Sequence, residues 1–237
     1  MEEILRDHPA VDVNWGNEVQ WTPLHIASAN GHARIVDILL AHPDTDVNRL
    51  NKSRDPPFSL ACSANRISVV RVLLKDARVE VEIPGRLEFS SLWCTASSGY
   101  LEIIRWWIVS GREMDLGQPG NWKTDAAGEA RRQGKTEVAT LLERFKENPA
   151  ETRHFVRVEL GWYDEMAAAV FAPMVFVSDG LLQVKDASTP AARFITIATK
   201  LPLELQMVLC HRLVGSAKEI ISTNESEAAF KDLVKRL

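Results

Sequence analysis

The sequence predicts an all-α protein: a solenoid of stacked two-helix layers, followed by a small, mainly helical C-terminal domain. Three observations predict it. The chain echoes itself at a period of about 34 residues over positions 1–145. Within each period the apolar residues fall at helical spacing. After residue 145 the echo stops, and longer apolar stretches broken by prolines take over.

The repeat is explicit in the residues. RDHPAVDVN, ending at Asn14, returns as LAHPDTDVN, ending at Asn48. Leu24, Ala27, Ile35, Val36, Leu39 and Leu40 return as Phe58, Ala61, Val69, Val70, Leu73 and Leu74. They return again as Leu92, Thr95, Ile103, Ile104, Trp107 and Ile108, so Trp106 and Trp107 are assigned mainly to the core. Gly31 recurs as Gly99, with Asn65 at the same place between them. A looser copy, TDAAGEARRQGKTEVATLL at 124–142, carries one extra residue before Gly134.

Each unit, as in TPLHIASANGHARIVDILL, reads as two short helices. Thr22 caps the first, and Pro23 stands where a missing N–H costs nothing. Ala27, Ser28 and Ala29 are small enough for a neighbour to approach closely, and Gly31 stops the helix. ARIVDILL forms the second helix, and PDTDVN turns into the next unit. Neither helix buries its apolar face alone, so stacking supplies the core.

These residues resemble the ankyrin repeat: the TPLH tetrapeptide, the small-residue helix and the Gly-His turn match its pattern. The resemblance covers about residues 1–145. It comprises a truncated unit (1–16), three full units starting near Asn17, Asn51 and Gly85, and a divergent last one from about Pro119. It implies a curved stack whose turn tips and first helices line a concave face that binds partner proteins. It also implies that His25 ties neighbouring turns by hydrogen bonds. TPLH becomes PPFS at 56–59 and SSLW at 90–93, so that role passes to His25 alone, with Trp93 offering burial area instead.

Residues 146–157, KENPAETRHFVR, read as a connector to a C-terminal domain at 158–237. DEMAAAVFA reads as a buried helix interrupted or kinked at Pro173, with PMVFVSDG equally a short strand. Two helices follow in 188–215, one starting at Thr189-Pro190 and one after the break before Pro202. On the second, Leu205, Val208, Leu209 and Leu213 are expected to line one side, with Gly215 as the stop. A last helix takes Asn224 as cap with Glu227, and an apolar face of Ala228, Phe230, Leu233, Val234 and Leu237. LPLELQMVLCHRLVG, about residues 200–215, also weakly resembles the opening of an F-box, or the related C-terminal segment of some ankyrin-repeat proteins. That resemblance implies recruitment of a ubiquitin-ligase scaffold, but later F-box landmarks are not recognisable. A cap or accessory domain without that activity is the simpler reading.

Composition narrows the chemistry. A net charge of -4 on 237 residues gives no general attraction to nucleic acid or anionic membranes. No window supplies an uninterrupted apolar span, and MEEILRDHPAV is too acidic for a signal peptide. Cys62, Cys94 and Cys210, odd in number and scattered, read as buried hydrophobes of a reducing, intracellular protein, cytoplasmic or nuclear. His8, His32 and His42 suggest a metal cluster, but His8 and His42 are repeat equivalents and belong to different layers. Cys210 and His211 are adjacent on a helix and so diverge by about 100 degrees, unlike a nucleophile and its base. GQPGNWKTD lacks a phosphate-binding loop, and Glu151 and Glu159 stand in the connector. The expectation is a protein with no catalytic residues, cofactor, metal or small-molecule substrate. An enzyme with an unrecognised site in 150–237 is a distant alternative.

The expected activity is binding of another polypeptide. The slot before TPLH holds Trp21, Asp55, Phe89 and Lys123 in successive units, and tips of this kind anchor partners with aromatic side chains. Trp21 and Phe89 are the candidate anchors, with Trp122 beside the last tip. Glu18, Arg54, Asp55, Arg86 and Glu88 set charge preference, and Asn30 and Ser98 give access on the first helices.

Overall fold

Three of the four first helices start at a side-chain cap, and each ends at a tight turn, as the local sequence requires. The computed structural model describes residues 11–84, 90–117, 124–179, 182, 189–216, 218 and 221–236. They contain helices and no strand. The chain divides into two compact units, Met1–Val156 and Arg157–Leu237.

Among the described residues of the first unit four helix pairs follow one another: α1 (Pro23–Asn30) with α2 (Ala33–Ala41), α3 (Pro57–Ser63) with α4 (Ile67–Lys75), α5 (Ser91–Ser98) with α6 (Leu101–Ser110), and α7 (Ala126–Arg132) with α8 (Thr136–Glu147). Thr22 caps α1 by accepting the His25 N–H, Ser90 caps α5 by accepting the Trp93 N–H, and Asp125 caps α7 through Gly128. Gly31 and Gly99 end α1 and α5 in the left-handed region, at φ 85° and 78°. Asn65 takes the same conformation at φ 54°, which asparagine tolerates better than most residues.

The core runs through equivalent positions. Leu24, Phe58 and Leu92 are buried on the first helices; Leu39, Leu73 and Trp107 are buried on the second. Phe58 meets Trp107 edge-to-face with ring centroids 5.1 Å apart, so adjacent layers share one aromatic contact. Trp106 is half-buried, and the Arg71 guanidinium lies 3.8 Å from its ring centroid. The expected connector is largely helical: α9 (Pro149–Glu159) buries Thr152 and Val156, and Arg153 Nε donates to the Ile108 carbonyl at 3.1 Å.

Among its described residues the second unit has five helical pieces: the end of α9, α10 (Trp162–Ser178), α11 (Pro190–Ala198), α12 (Leu203–Leu213) and, last, α13 (Thr223–Arg236), of which the final four are complete. Its core joins Ala167, Ala168, Phe171 and Met174 of α10 to Ala198, Cys210 and Ile221, with Phe194 and Phe230 packed alongside. Three expectations are corrected here. α10 runs through Pro173 without a strand. The carbonyl that loses its helical partner belongs to Ala169, an exposed residue, so water can satisfy it. The cap of α13 is Ser222 rather than Asn224: Ser222 Oγ and N both donate to Glu225 Oε2, at 2.6 and 3.1 Å. On α12 the buried residues are Gln206, Cys210 and His211, whereas Leu205 and Leu213 are exposed. Val234 of α13 is exposed as well. Leu237 lies outside the described residues.

Candidate protein-binding face

The tips between layers are built around a repeated asparagine. Asn17 Oδ1 accepts from the backbone of Val19 and Trp21 at 3.1 and 2.9 Å. One period later Asn51 Oδ1 accepts from Ser53 and Asp55 at 2.8 and 3.0 Å. Each loop closes when the same asparagine donates its N–H to the last residue: Asn17 to the Trp21 carbonyl and Asn51 to the Asp55 carbonyl, both at 3.2 Å. Gln20 and Arg54 therefore sit at φ 59° and 66°, strained for residues with a Cβ and held there by the loop around them.

Successive tips are tied to one another. Lys52 N donates to the Val19 carbonyl at 3.1 Å. Asn14 Nδ2 donates to the Asp44 carbonyl and its Oδ1 accepts from Asp46 N, at 2.7 and 2.8 Å. Asn48 repeats both bonds with Arg78 and Glu80, each at 2.8 Å. The third equivalent is Glu82, which accepts from Asp115 N at 3.1 Å. Burial raises the Glu82 carboxyl above the usual carboxylate range, against the lowering effect of that bond, and the nearby charges of Asp115 and Glu113 raise it further.

His25 links two layers. Its Nδ1 accepts from Thr22 N at 3.2 Å, which leaves the proton on Nε2 to donate to the Asp55 carbonyl at 3.2 Å. Burial lowers its pKa below the ordinary 6.5, and the hydrogen bond to Asp55 works in the other direction. The neutral ring is the form that satisfies both neighbours.

The sequence-derived candidates fall unevenly on this frame. Glu18, Asn30, Arg54 and Ser98 are exposed, and Asn30 Nδ2 donates to the Ile26 carbonyl at 2.9 Å. Trp21 is half-buried and tilted against His25 with centroids 6.5 Å apart, so part of its ring is used in packing. Asp55 is half-buried too. Arg86, Glu88, Phe89 and Trp122 lie outside the described residues. Two features escaped the sequence reading. Trp15, Val19 and Ile26 are 64%, 49% and 43% exposed. Trp15 aligns with exposed Arg49 one period on, a signal that was available. On α7, Glu129 is buried while its carboxylate takes hydrogen bonds from Arg132 Nε, Arg132 Nη2 and Gln133 at 2.8, 2.7 and 2.9 Å. The Arg132 guanidinium holds that carboxyl below its usual range.

Chemistry is sparse on this frame. Burial pushes the Cys62 and Cys94 thiols up, away from the nucleophilic thiolate, and the Cys210 thiol up to about 11. Among the described residues no group of three or more His, Cys, Asp or Glu could hold a metal ion, and no single helix is long and apolar enough to cross a membrane.

Residues 2–83 match the family model described as Ankyrin repeats (3 copies). No curated protein matches the chain. The pairs α5–α6 and α7–α8 continue the two-helix arrangement beyond the matched residues. The N-terminal part of this all-α chain, residues 2–83, is therefore an ankyrin-repeat region, an architecture consistent with a general protein–protein interaction role.

Proposed function

We propose that the chain is a non-catalytic interaction module that holds a partner polypeptide on the concave face formed by its turn tips and first helices. One observation carries this reading: the tips have fixed backbones and free-standing side chains. Asn17 and Asn51 lock each loop, while Glu18, Val19 and Arg54 project from those loops into solvent. A surface ordered before binding loses little entropy when a partner arrives. Ile26 supplies apolar area on the adjacent first helix, with Asn30 and Ser98 as small polar neighbours. Trp21 contributes the exposed part of its ring, and Asp55, Arg86, Glu88, Phe89 and Trp122 complete the proposed face.

The test is affinity purification on the intact chain, followed by capture of the identified partner with a Glu18→Lys, Ile26→Asp, Arg54→Glu variant. With helicity unchanged, capture should fall by about tenfold or more. Undiminished capture places the partner elsewhere. A second reading, an adaptor that also recruits a ubiquitin-ligase scaffold through residues 200–215, draws support from the exposure of Leu203 and Leu205. The family match ends at residue 83 and does not reach that segment.

A further inference from the structure

Helix α12 is turned against its own amphipathic pattern. Its buried side chains are Gln206, Cys210 and His211, while Leu203, Leu205 and Leu213 stand 52%, 51% and 53% exposed. The corner before it fixes this orientation. Gln206 Nε2 donates to the Leu201 carbonyl at 2.9 Å, closing the turn after α11, and Cys210 Sγ lies 3.5 Å from Met174 Sδ in the core. Once Gln206 and Cys210 face inward, the flanking leucines face out. Ile197 is 65% exposed at the end of α11, and Leu201 is 36% exposed in the corner.

Four large aliphatic side chains within positions 197–205 expose apolar area on the order of 400 Å², in the range where the largest patch of a soluble monomer is often functional. A standard interface buries about 800 Å² per partner, a little over half of it apolar. The patch therefore supplies nearly the whole apolar part of one such interface.

Charge selects the occupant. Arg193 and Ile197 share a face of α11 at helical spacing, Lys200 follows in the corner, and Arg212 shares a face of α12 with Leu205. All three cations are exposed, and Glu204 is the one acid in 190–213, so this segment carries +2 (three cations less one acid) on a chain of net charge -4. Symmetric pairing with a second copy would set one +2 segment against another. We infer that the Ile197–Leu205 corner is a docking surface for an amphipathic helix of a partner protein whose apolar ridge is flanked by aspartate or glutamate. The inference stands independently of the proposed repeat face.

The experiment uses the full chain and two synthetic helical peptides that share a leucine ridge, one flanked by glutamates and the other by lysines. The glutamate peptide should bind, with affinity that falls as salt is raised and falls by about tenfold or more in a Leu203→Asp, Leu205→Asp variant. Lys200→Glu should narrow the preference between the peptides. Failure of both peptides to bind, or equal binding of the two, would overturn the inference. So would a concentration-dependent dimer in sedimentation that the double variant abolishes, because the occupant would then be a second copy. Loss of helicity in the double variant would overturn it as well, by showing that the leucines support the fold.

Discussion

The repeat unit and the C-terminal unit bury their side chains under different rules. In the repeats, Val13, Val47 and Val81 occupy one slot in three successive turns, and each is 5% exposed. Asn14 and Asn48 make the same two bonds to the next turn. Every layer is the environment of the next, so one unit's pattern states what its neighbours require. In the C-terminal unit no slot recurs. Ala167, Phe171, Met174, Cys210 and Ile221 come from separate segments into one cluster, and the orientation of α12 in it is decided by the particular turn that Gln206 closes. Periodic packing is thus written many times in the sequence, and single-copy packing only once.

The largest test of this contrast removes a shared core residue. Trp107 is fully buried in the third layer and meets Phe58 of the second, so Trp107→Ala should cost about 3–5 kcal/mol in chemical denaturation. Because the contact is between layers, Phe58→Leu and Trp107→Ala should be non-additive in a double-mutant cycle. Strict additivity would mean that the layers do not share a core.

Next in size is the histidine tie between layers. His25→Ala takes the acceptor from the Thr22 N–H and one of two donors from the Asp55 carbonyl, which keeps the Asn51 N–H, an expected loss of about 2 kcal/mol. The pH dependence has a definite sign. The folded-state pKa is lowered, so the unfolded chain binds the proton more readily. Stability is fully present above the ordinary value of 6.5 and declines as pH falls from there toward the lowered folded value. His25→Ala should flatten that slope in denaturation curves taken across the same pH range; a variant that keeps the slope would assign it to another group.

The same contrast explains what was legible. The helix pairs from Pro23 to Glu147 follow from apolar spacing and from Thr22, Gly31, Ser90 and Gly99. The C-terminal helices were legible as helices, but not their buried faces. Leu205, Leu209 and Leu213 form as good a stripe as Gln206 and Cys210, and propensity does not say that a glutamine will turn inward to satisfy a carbonyl. STNESE offers two capping boxes in register, and the chain uses Ser222 with Glu225. At the proposed site, the exposure of Glu18 and Arg54 was legible because loop tips are solvated. The half-burial of Trp21 was not legible, because its ring leans on His25, a contact fixed by stacking.

Two glycines offer a smaller test of layer contact. Gly99 and Gly134 both sit in the left-handed region, at φ 78° and 72°. A Cβ on Gly99 would come within 2.7 Å of Lys135 Cδ from the next layer, whereas Gly134 has nothing within 4 Å. Gly134→Ala should cost only the backbone strain, about 1 kcal/mol, and Gly99→Ala up to about 2 kcal/mol. Thermal melts of the two variants side by side measure the difference, and equal costs would show that the lysine moves freely away.

The smallest effect, and the only stabilising one, lies where the asparagine ladder changes. Glu82 stands at the position of Asn14 and Asn48, but an ionised carboxylate accepts hydrogen bonds and cannot donate the second one. Its folded pKa is raised, so the folded state holds the proton more readily than the unfolded chain. Its contribution is therefore present below the ordinary value of 4.5 and is lost as pH rises through the raised folded value. Glu82→Asn restores an amide that can donate and accept, and removes a charge beside Glu113 and Asp115. At neutral pH it should stabilise the chain by about 1 kcal/mol, and the gain should shrink in acid, where the wild-type carboxyl becomes neutral. Denaturation of both proteins at neutral and acidic pH measures the two gains. A gain that is equal at both would assign it to better turn propensity and would leave the proton at Glu82 without a role in joining the third turn to the fourth.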